Sequence, residues 1–162
     1  MAEKTLADIG KFLDDVQRSV FGKETMRVVG EQIADIVKKR VKSGYGVNSD
    51  TADKPSQRKL APLSESYKKA RKRLGVTGSF ASPVISNLTN TGQLLDSFSV
   101  KAKQGEVTVS IPNTQRKDGL TNREVADYVR EKRPFFALTS PEVKIVEQII
   151  RDKIRTSFKK NL

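Results

Sequence analysis

Lysine and arginine are the side chains of this sequence that are most concentrated where they could do chemistry. The chain of 162 residues carries a formal net charge of +12, and twelve of its 31 Lys and Arg lie within residues 38–73 beside only three acidic residues. Positive charge at this density favours contact with an anionic partner such as nucleic acid, a membrane surface or an acidic protein. A solvated face beside a loop would give the same composition.

These cations fall mainly on two predicted helices, at residues 23–43 and 64–74. The second helix has only three apolar positions, Tyr67, Ala70 and Leu74. So narrow a stripe leaves its basic face in solvent or against a partner. The side chains that we predict to face DNA or a partner protein are Lys38, Lys39, Arg40, Lys42, Lys68, Lys69, Arg71, Lys72 and Arg73.

The residue types present exclude several classes of enzyme. The chain has neither cysteine nor histidine, which excludes disulfides, thiol nucleophiles, Cys/His zinc sites and histidine triads. Acidic residues such as Asp96 and Glu124 are explained by helix faces or caps. The glycines of residues 44–46 and 75–78 match no P-loop or dinucleotide fingerprint. We predict that the protein is not an enzyme and has no catalytic, cofactor-binding or metal site.

Several segments have the apolar period of amphipathic helices. The predicted helices are residues 3–21, 23–43, 64–74, 121–132 and a carboxy-terminal helix that continues to Phe158, with a short helical turn at 91–97. The first of these helices could dock on the core or reach a neighbouring subunit.

Capping signals mark the starts of the last two helices. Thr121 and Glu124 have the spacing of a capping box, and Tyr128 is expected to face inward beside two valines. Either Thr139 or Ser140 caps the last helix, because Thr139 would form a box with a glutamate and Ser140 would place a proline at the first helical position.

One stretch has clear strand alternation. Residues 98–111 alternate apolar and polar side chains on both sides of a Gln104-Gly105 turn, which predicts a hairpin with one apolar face. Residues 133–138 could add a third strand. The predicted fold class is α+β, a small antiparallel hairpin or three-stranded sheet covered by long amphipathic helices. Val109 and Ile150 are expected in its core.

We divide the chain into an amphipathic helical arm at 1–22 and a single α+β domain at 23–162. The domain carries a basic loop-helix insertion at about 44–87. Within it, residues 44–61 show no sustained period, so we expect a structureless loop that is mobile in the free protein and ordered against a partner. A boundary between subdomains would give the same pattern.

A membrane location is not expected. No apolar run approaches the roughly 18 residues of a membrane span. The amino terminus, MAEKTLADIG, has acidic residues where a signal peptide needs an apolar run. We expect the protein to be made and kept in a cytoplasm.

Three short motifs occur in order along the chain. They comprise Pro62, Leu63 and Ser64 before a basic helix, then Thr91, Gly92, Leu94, Leu95 and Ser97 before the hairpin, and finally Arg133, Pro134 and Phe135 before the last helix. Over residues 24–158 this order resembles the phage virion-morphogenesis or tail-completion proteins. In relatives a short aromatic-glycine segment often leads to the Arg-Pro-Phe step, whereas this chain has the helix at 121–132.

The resemblance implies a structural virion protein without a cofactor. Such proteins form a ring at the phage neck, the head–tail connector or tail-terminator region, and join the tail to the DNA-filled head. The resemblance also implies a homo-oligomer, hexameric or of a copy number matched to the connector. Neighbouring connector and tail proteins would be its partners. The implied location is the virion neck, after assembly in the bacterial cytoplasm, and a ring around DNA would benefit from non-specific attraction to phosphates.

The alternative is a non-sequence-specific nucleic-acid-binding protein that uses the basic region at 38–73. Tyr45 and Tyr67 are the only aromatic residues there, which is few for base stacking.

Overall fold

The fold was obtained as a computed structural model that describes residues 6–73, 93–116 and 119–161. Within these residues the helices are α1 Leu6–Phe21, α2 Lys23–Lys42, α3 Glu65–Arg73, α4 Gln93–Asp96, α5 Asn122–Lys132 and α6 Ser140–Asn161. The strands are β1 Tyr45–Val47, β2 Gln57–Lys59, β3 Ser99–Lys103 and β4 Glu106–Ser110. They form two antiparallel two-stranded sheets, β1-β2 and β3-β4. The predicted α+β class, with helices on a small sheet, is confirmed.

The chain divides into two compact units. The terminal unit takes the described residues of 1–33, 100–109 and 144–162, and the central unit takes those of 34–99 and 110–143. The separation of an arm at 1–22 from a domain at 23–162 stays a prediction. None of the helices in the described part of the chain is long and apolar enough to cross a membrane.

In the terminal unit, α1 and the first part of α2 bury apolar residues on both sides of a sharp junction. Val16 and Val20 from α1 are buried, as are Met26 and Val29 from α2. At the junction, the Met26 amide donates to the Gly22 carbonyl at 3.0 Å, which starts the second helix at once. Met26 and Val29 lie on the apolar stripe predicted for α2, whereas Leu13, on the stripe predicted for α1, is 54% exposed.

The hairpin β3-β4 lies close to α2 in this unit. A Cβ built on Gly30 would overlap the side chains of Val100 and Val107, so glycine permits this approach. The turn is also held, because the Gly105 amide donates to the Phe21 carbonyl at 2.7 Å and Gly105 has a positive φ of 71°.

The far end of α6 contacts α1. The Phe12 and Phe158 rings meet edge to face with centroids 5.5 Å apart, and the hydroxyls of Ser19 and Ser157 are 2.9 Å apart. The expected burial of Val109 and Ile150 is only partly found, since both are half-buried. Large apolar side chains of this unit that remain exposed are Leu13, Phe21, Ile145 and Phe158.

The central unit has one apolar core built from sequence-distant segments. Its buried members are Val37, Val41, Leu60, Leu94, Leu95, Ala126 and Phe135. Half-buried residues including Phe98 and Phe136 pack against it, and their rings meet edge to face at 5.2 Å. The end of α2, α4 and α5 therefore share this core with the segment before α6.

The prediction that residues 44–61 are structureless is wrong. They contain β1 and β2, paired with Tyr45 opposite Lys59 and Val47 opposite Gln57. Val47 is buried, and its amide donates to the Pro134 carbonyl at 2.9 Å. Strands of three residues are too short to show a period, so tertiary contacts determine this pairing.

Two side chains close the connection between β1 and β2. The Asn48 amide donates to the Ser56 carbonyl at 3.0 Å, and the Ser56 amide donates to Asn48 Oδ1 at 2.9 Å. Asp50 is the second anchor. Its Oδ1 accepts from the Phe136 amide at 2.7 Å and its Oδ2 accepts from Arg130 Nε at 2.6 Å.

The predicted third strand at 133–138 is not formed. The segment makes one backbone bond to β1, from the Val47 amide to the Pro134 carbonyl, but the next carbonyls are bonded by a side chain. Arg40 Nη2 donates to the Phe135 and Ala137 carbonyls at 2.7 and 2.8 Å. The Phe136 amide is occupied by Asp50. An extended segment bound in this way has no free edge for a neighbouring strand.

The predicted capping box of α5 is confirmed. The Thr121 amide donates to Glu124 Oε2 at 2.7 Å, and the Glu124 amide donates to Thr121 Oγ1 at 3.2 Å. The inward orientation expected for Tyr128 is wrong, because its side chain is 67% exposed and Ala126 is buried instead. For α6, Thr139 bonds to the first turn, because its amide and its hydroxyl donate to Glu142 Oε2 at 2.7 and 2.8 Å.

Candidate functional site

The helix α3 starts where the sequence predicts. Ser64 caps it, since the Tyr67 amide donates to Ser64 Oγ at 3.3 Å and the Lys68 amide donates to the Ser64 carbonyl at 2.9 Å. Leu63, just before the cap, is buried. The helix is therefore attached at its first turn, and its remaining turns present most of their side chains to solvent.

The exposed face of α3 is strongly basic. Lys69, Lys72 and Arg73 are exposed, and Lys68 is half-buried with its Nζ 2.5 Å from Glu65 Oε1. The exposure predicted for Arg71 is wrong, because this side chain is 2% exposed. The helix therefore presents three cations and one ion-paired lysine rather than five free cations.

The inward face of α3 also differs from the predicted stripe. Tyr67 is 41% exposed and Ala70 is exposed. Leu74, the third residue of that stripe, lies outside the described residues. Arg71 lies four residues after Tyr67 and three before Leu74, so helical spacing places it on the face of that stripe, although its charge favoured an exposed position.

The predicted cations at the end of α2 are not equivalent. Lys39 is exposed, whereas Lys38 and Lys42 are half-buried. Lys38 places its Nζ 5.6 Å from the centroid of the Phe98 ring, a cation–π arrangement that uses part of its charge inside the unit. Of the cations predicted at the end of α2, Lys39 is therefore the one that is exposed.

Arg40 is a structural residue, and its predicted exposure is wrong. Its guanidinium forms an ion pair with Glu142 and donates to the Phe135 and Ala137 carbonyls. Burial lowers the pKa of Arg40 below its ordinary value, while the neighbouring carboxylates of Glu142 and Asp50 raise it. Arg40 therefore holds the segment before α6 onto α2 and is not available to a partner.

A basic cleft that the sequence did not indicate lies between β2 and the end of α5. Its volume is about 100 Å³, and it is lined by Val47, Arg58, Lys59, Leu60, Ala61, Lys132, Arg133 and Pro134. Four of these eight residues are cations, and none of the described lining residues is acidic. The two Lys/Arg pairs are far apart in the chain, so only the fold brings them together. We call this feature the basic cleft.

Arg133 forms one wall of the basic cleft and fixes its shape. Its Nε donates to the Ala61 carbonyl at 3.1 Å, and its Nη2 donates to the Pro62 carbonyl at 3.3 Å. Pro134 continues this wall, and its carbonyl is bonded to β1. The motif residues Arg133 and Pro134 thus contact the motif that precedes α3.

The second motif joins the third in the core. Leu94 and Leu95 share the apolar cluster with Phe135, and Ser97 Oγ donates to the Leu94 carbonyl at 2.8 Å. Thr91 and Gly92 lie outside the described residues. The described parts of all three motifs therefore lie in the central unit.

The central unit carries most of the positive charge. Its residues include 18 Lys and Arg against 10 Asp and Glu, which gives +8 of the net +12. Acidic residues and cations do pair in places, as in Arg130 with Asp50. Within the described part of the chain, no three acidic side chains are grouped as metal ligands.

Comparisons of the chain with protein-family models, with curated proteins and with solved structures found no match.

Proposed function

We propose that this protein is a structural virion subunit of a tailed phage, a ring-forming neck or tail-completion protein that joins the tail to the DNA-filled head. One observation carries the proposal: the residues that resemble this family pack on one another. Arg133 donates to the Pro62 carbonyl, and Phe135 shares a core with Leu94 and Leu95.

This packing adds weight to the resemblance. Each motif alone is a common pattern, since Pro-Leu-Ser before a helix is a good start signal in any protein. Residues that jointly build one core are constrained together, so their presence in order is more informative than each motif by itself. The packing supports a fold shared with the tail-completion proteins, and the proposed function follows from that shared fold.

The exposed cations fit a role beside packaged DNA. Lys39, Lys69, Lys72 and Arg73 are all exposed in the central unit. A few lysines per subunit give weak attraction to phosphates without base readout. In a homo-oligomeric ring the same weak contact is repeated around the duplex, so its effect is multiplied by effective concentration.

The test combines assembly and binding. We would replace Lys69, Lys72 and Arg73 by glutamine, and as a control with the same loss of charge replace Lys101, Lys144 and Lys153, which are exposed residues of the terminal unit. The first variant should reduce joined particles, counted by electron microscopy, while tails and filled heads still form. The control should join normally. Native mass measurement of the protein with its neighbouring gene products should give a ring.

The same experiment distinguishes the neck subunit from the alternative, a free nucleic-acid-binding protein. The basic cleft is also compatible with a free nucleic-acid-binding protein. For the neck subunit, the monomer should bind DNA weakly, without sequence preference and with affinity that falls steeply as salt rises. Tight, sequence-selective binding by a monomer, with particle joining unaffected by the α3 substitutions, would replace the neck proposal with the alternative.

A further inference from the structure

We infer that the basic cleft between β2 and the end of α5 binds phosphate groups of the duplex DNA backbone. The inference deepens the proposed function and rests on it for the choice of duplex DNA as the ligand. It assigns the DNA contact to Arg58, Lys59 and Lys132, with Arg133 as a fixed wall. These residues replace the buried Arg40 and Arg71 in the predicted footprint.

Three cations of the basic cleft have no carboxylate partner among the described residues. Arg58, Lys59 and Lys132 form no ion pair with any described residue, whereas Lys68 and Arg130 each have a carboxylate partner. Cations that line one concave space repel one another, and low-dielectric walls strengthen this repulsion. An anion entering the cleft removes the repulsion, so the geometry favours an anionic ligand.

The cleft is also preorganised. Arg58 and Lys59 lie on a strand whose register is fixed by pairing with Gly46 and Tyr45. On the other wall, Arg133 is held by two carbonyls, and Lys132 places its Nζ 5.7 Å from the centroid of the Tyr128 ring. Ordering a side chain on binding costs free energy, so groups already in position lose less.

The residue types favour a phosphate backbone over bases. None of the described residues that line the cleft is aromatic, so stacking of single-stranded bases has no platform there. The Arg58 guanidinium can hold a phosphate through two parallel hydrogen bonds, and the lysines add point charges. The net positive charge of the central unit extends this attraction beyond one phosphate.

The test measures salt-dependent binding of a fluorescent DNA duplex by anisotropy. The cleft variant is R58Q/K59Q/K132Q, and the control is K101Q/K144Q/K153Q, which removes the same charge from the terminal unit. Arg133 is left unchanged because its hydrogen bonds support the segment before α3. The three replaced cleft side chains are exposed, so both variants should show wild-type circular dichroism and thermal midpoints.

If three phosphate contacts are lost, the slope of log K against log salt should become shallower by about 2.7 in the cleft variant, at about 0.9 per contact. The control should keep the wild-type slope. An unchanged slope in the cleft variant, or an equal change in the control, would overturn the inference. Equally tight binding of a polyglutamate peptide by the wild-type protein would also overturn it.

The outcomes separate this inference from the proposed function. Loss of DNA binding by the cleft variant, with normal particle joining, would keep the cleft as a DNA site and remove its role in the neck. Wild-type DNA binding by the cleft variant, with particle joining lost in the α3 variant, would remove the cleft and leave the neck proposal standing.

Discussion

Arg130 and Asp50 lie 80 positions apart in the chain, and Arg130 Nε donates to Asp50 Oδ2 at 2.6 Å. The other oxygen of the same carboxylate accepts from the Phe136 amide. One aspartate side chain, 6% exposed, therefore ties the β1-β2 connection both to α5 and to the segment that follows it. The connection that lacked any sequence period is attached to the core by this single residue.

Replacing Asp50 by alanine should release this connection. The substitution leaves the Phe136 amide without its acceptor, and an unsatisfied buried group costs about 1–3 kcal/mol. Arg130 is half-exposed and keeps its ion pair with Asp127, so its loss of Asp50 adds little. The free energy of unfolding, measured with urea, should fall by about this amount. Hydrogen exchange of residues 48–56 should also become faster. Asp53→Ala is the control, because Asp53 is exposed in the same loop and should change stability by less than about 0.5 kcal/mol.

The measurement also tests the predicted mobility of residues 44–61. Exchange as fast in the wild-type protein as in Asp50→Ala would contradict the anchoring role of Asp50.

Replacing Arg40 by methionine should be more costly. The change leaves the partly buried Glu142 carboxylate without its ion pair and two carbonyls without their donor. Breaking a buried pair from one side costs about 3–5 kcal/mol. The double variant R40M/E142Q should lose less than the sum of the two single variants, because both changes remove the same interaction. Additive losses would show that the pair is not coupled.

A matched control for Arg40 exists on the same helix. Arg27 forms ion pairs with Glu24 and Glu31, but all three side chains are well exposed. Exposed pairs contribute little because solvent screens them. Arg27→Met should therefore leave the urea midpoint close to that of the wild-type protein.

Two glycine-to-alanine substitutions should have opposite signs. A Cβ on Gly46 would overlap the Pro134 carbonyl oxygen and a Leu60 methyl, so Gly46→Ala should destabilise the protein by about 1–3 kcal/mol. Gly10 lies in α1 with nothing within 4 Å of the same position. Gly10→Ala should therefore stabilise by up to about 1 kcal/mol through helix propensity. Thermal midpoints of both variants check this, and equal shifts would contradict the close packing of β1.

The stability of the first turn of α5 should depend on pH. Hydrogen bonds from the Thr121 amide and hydroxyl lower the pKa of Glu124 below its ordinary value of 4.5. A lowered carboxyl pKa gives stability that is present above the unfolded value and is lost as the pH falls through the folded value. The pKa of Glu124, followed by NMR, should be below 4.5 in the wild-type protein and should rise in Thr121→Ala.

Thr121→Ser keeps the hydroxyl and is the control for this titration. Its Glu124 pKa should stay close to the wild-type value. Alanine keeps the backbone amide that donates to Glu124, so a pKa that does not respond to Thr121→Ala would mean that the Thr121 hydroxyl contributes nothing to the ionisation of Glu124.

The parts of the fold that sequence could predict are those encoded locally. The apolar period placed α2, and the spacing of Thr121 and Glu124 placed α5 to within a residue. The alternation around Gly105 likewise placed the hairpin. Each of these signals lies within a few turns or one strand pair, so no knowledge of distant contacts is needed.

The parts that could not be predicted depend on distant contacts. The pairing of β1 with β2 relies on Pro134, and the burial of Arg40 relies on carbonyls near residue 136. The basic cleft joins Arg58 to Lys132, two positions that no local pattern relates. For the candidate site, composition therefore located the charged region, and only the fold identified which of its cations are available.

The closed base of the β1-β2 connection has a practical consequence for testing whether the protein forms the proposed ring. Since Asn48 and Ser56 bond to each other and Asp50 is anchored, the exposed residues Asp53 and Lys54 form a tip whose lengthening disturbs none of these contacts. A short peptide epitope inserted there would extend from a fixed base. If the protein forms the proposed ring, an antibody fragment bound to this epitope would mark each copy in electron micrographs, so the number of marks would give the number of copies.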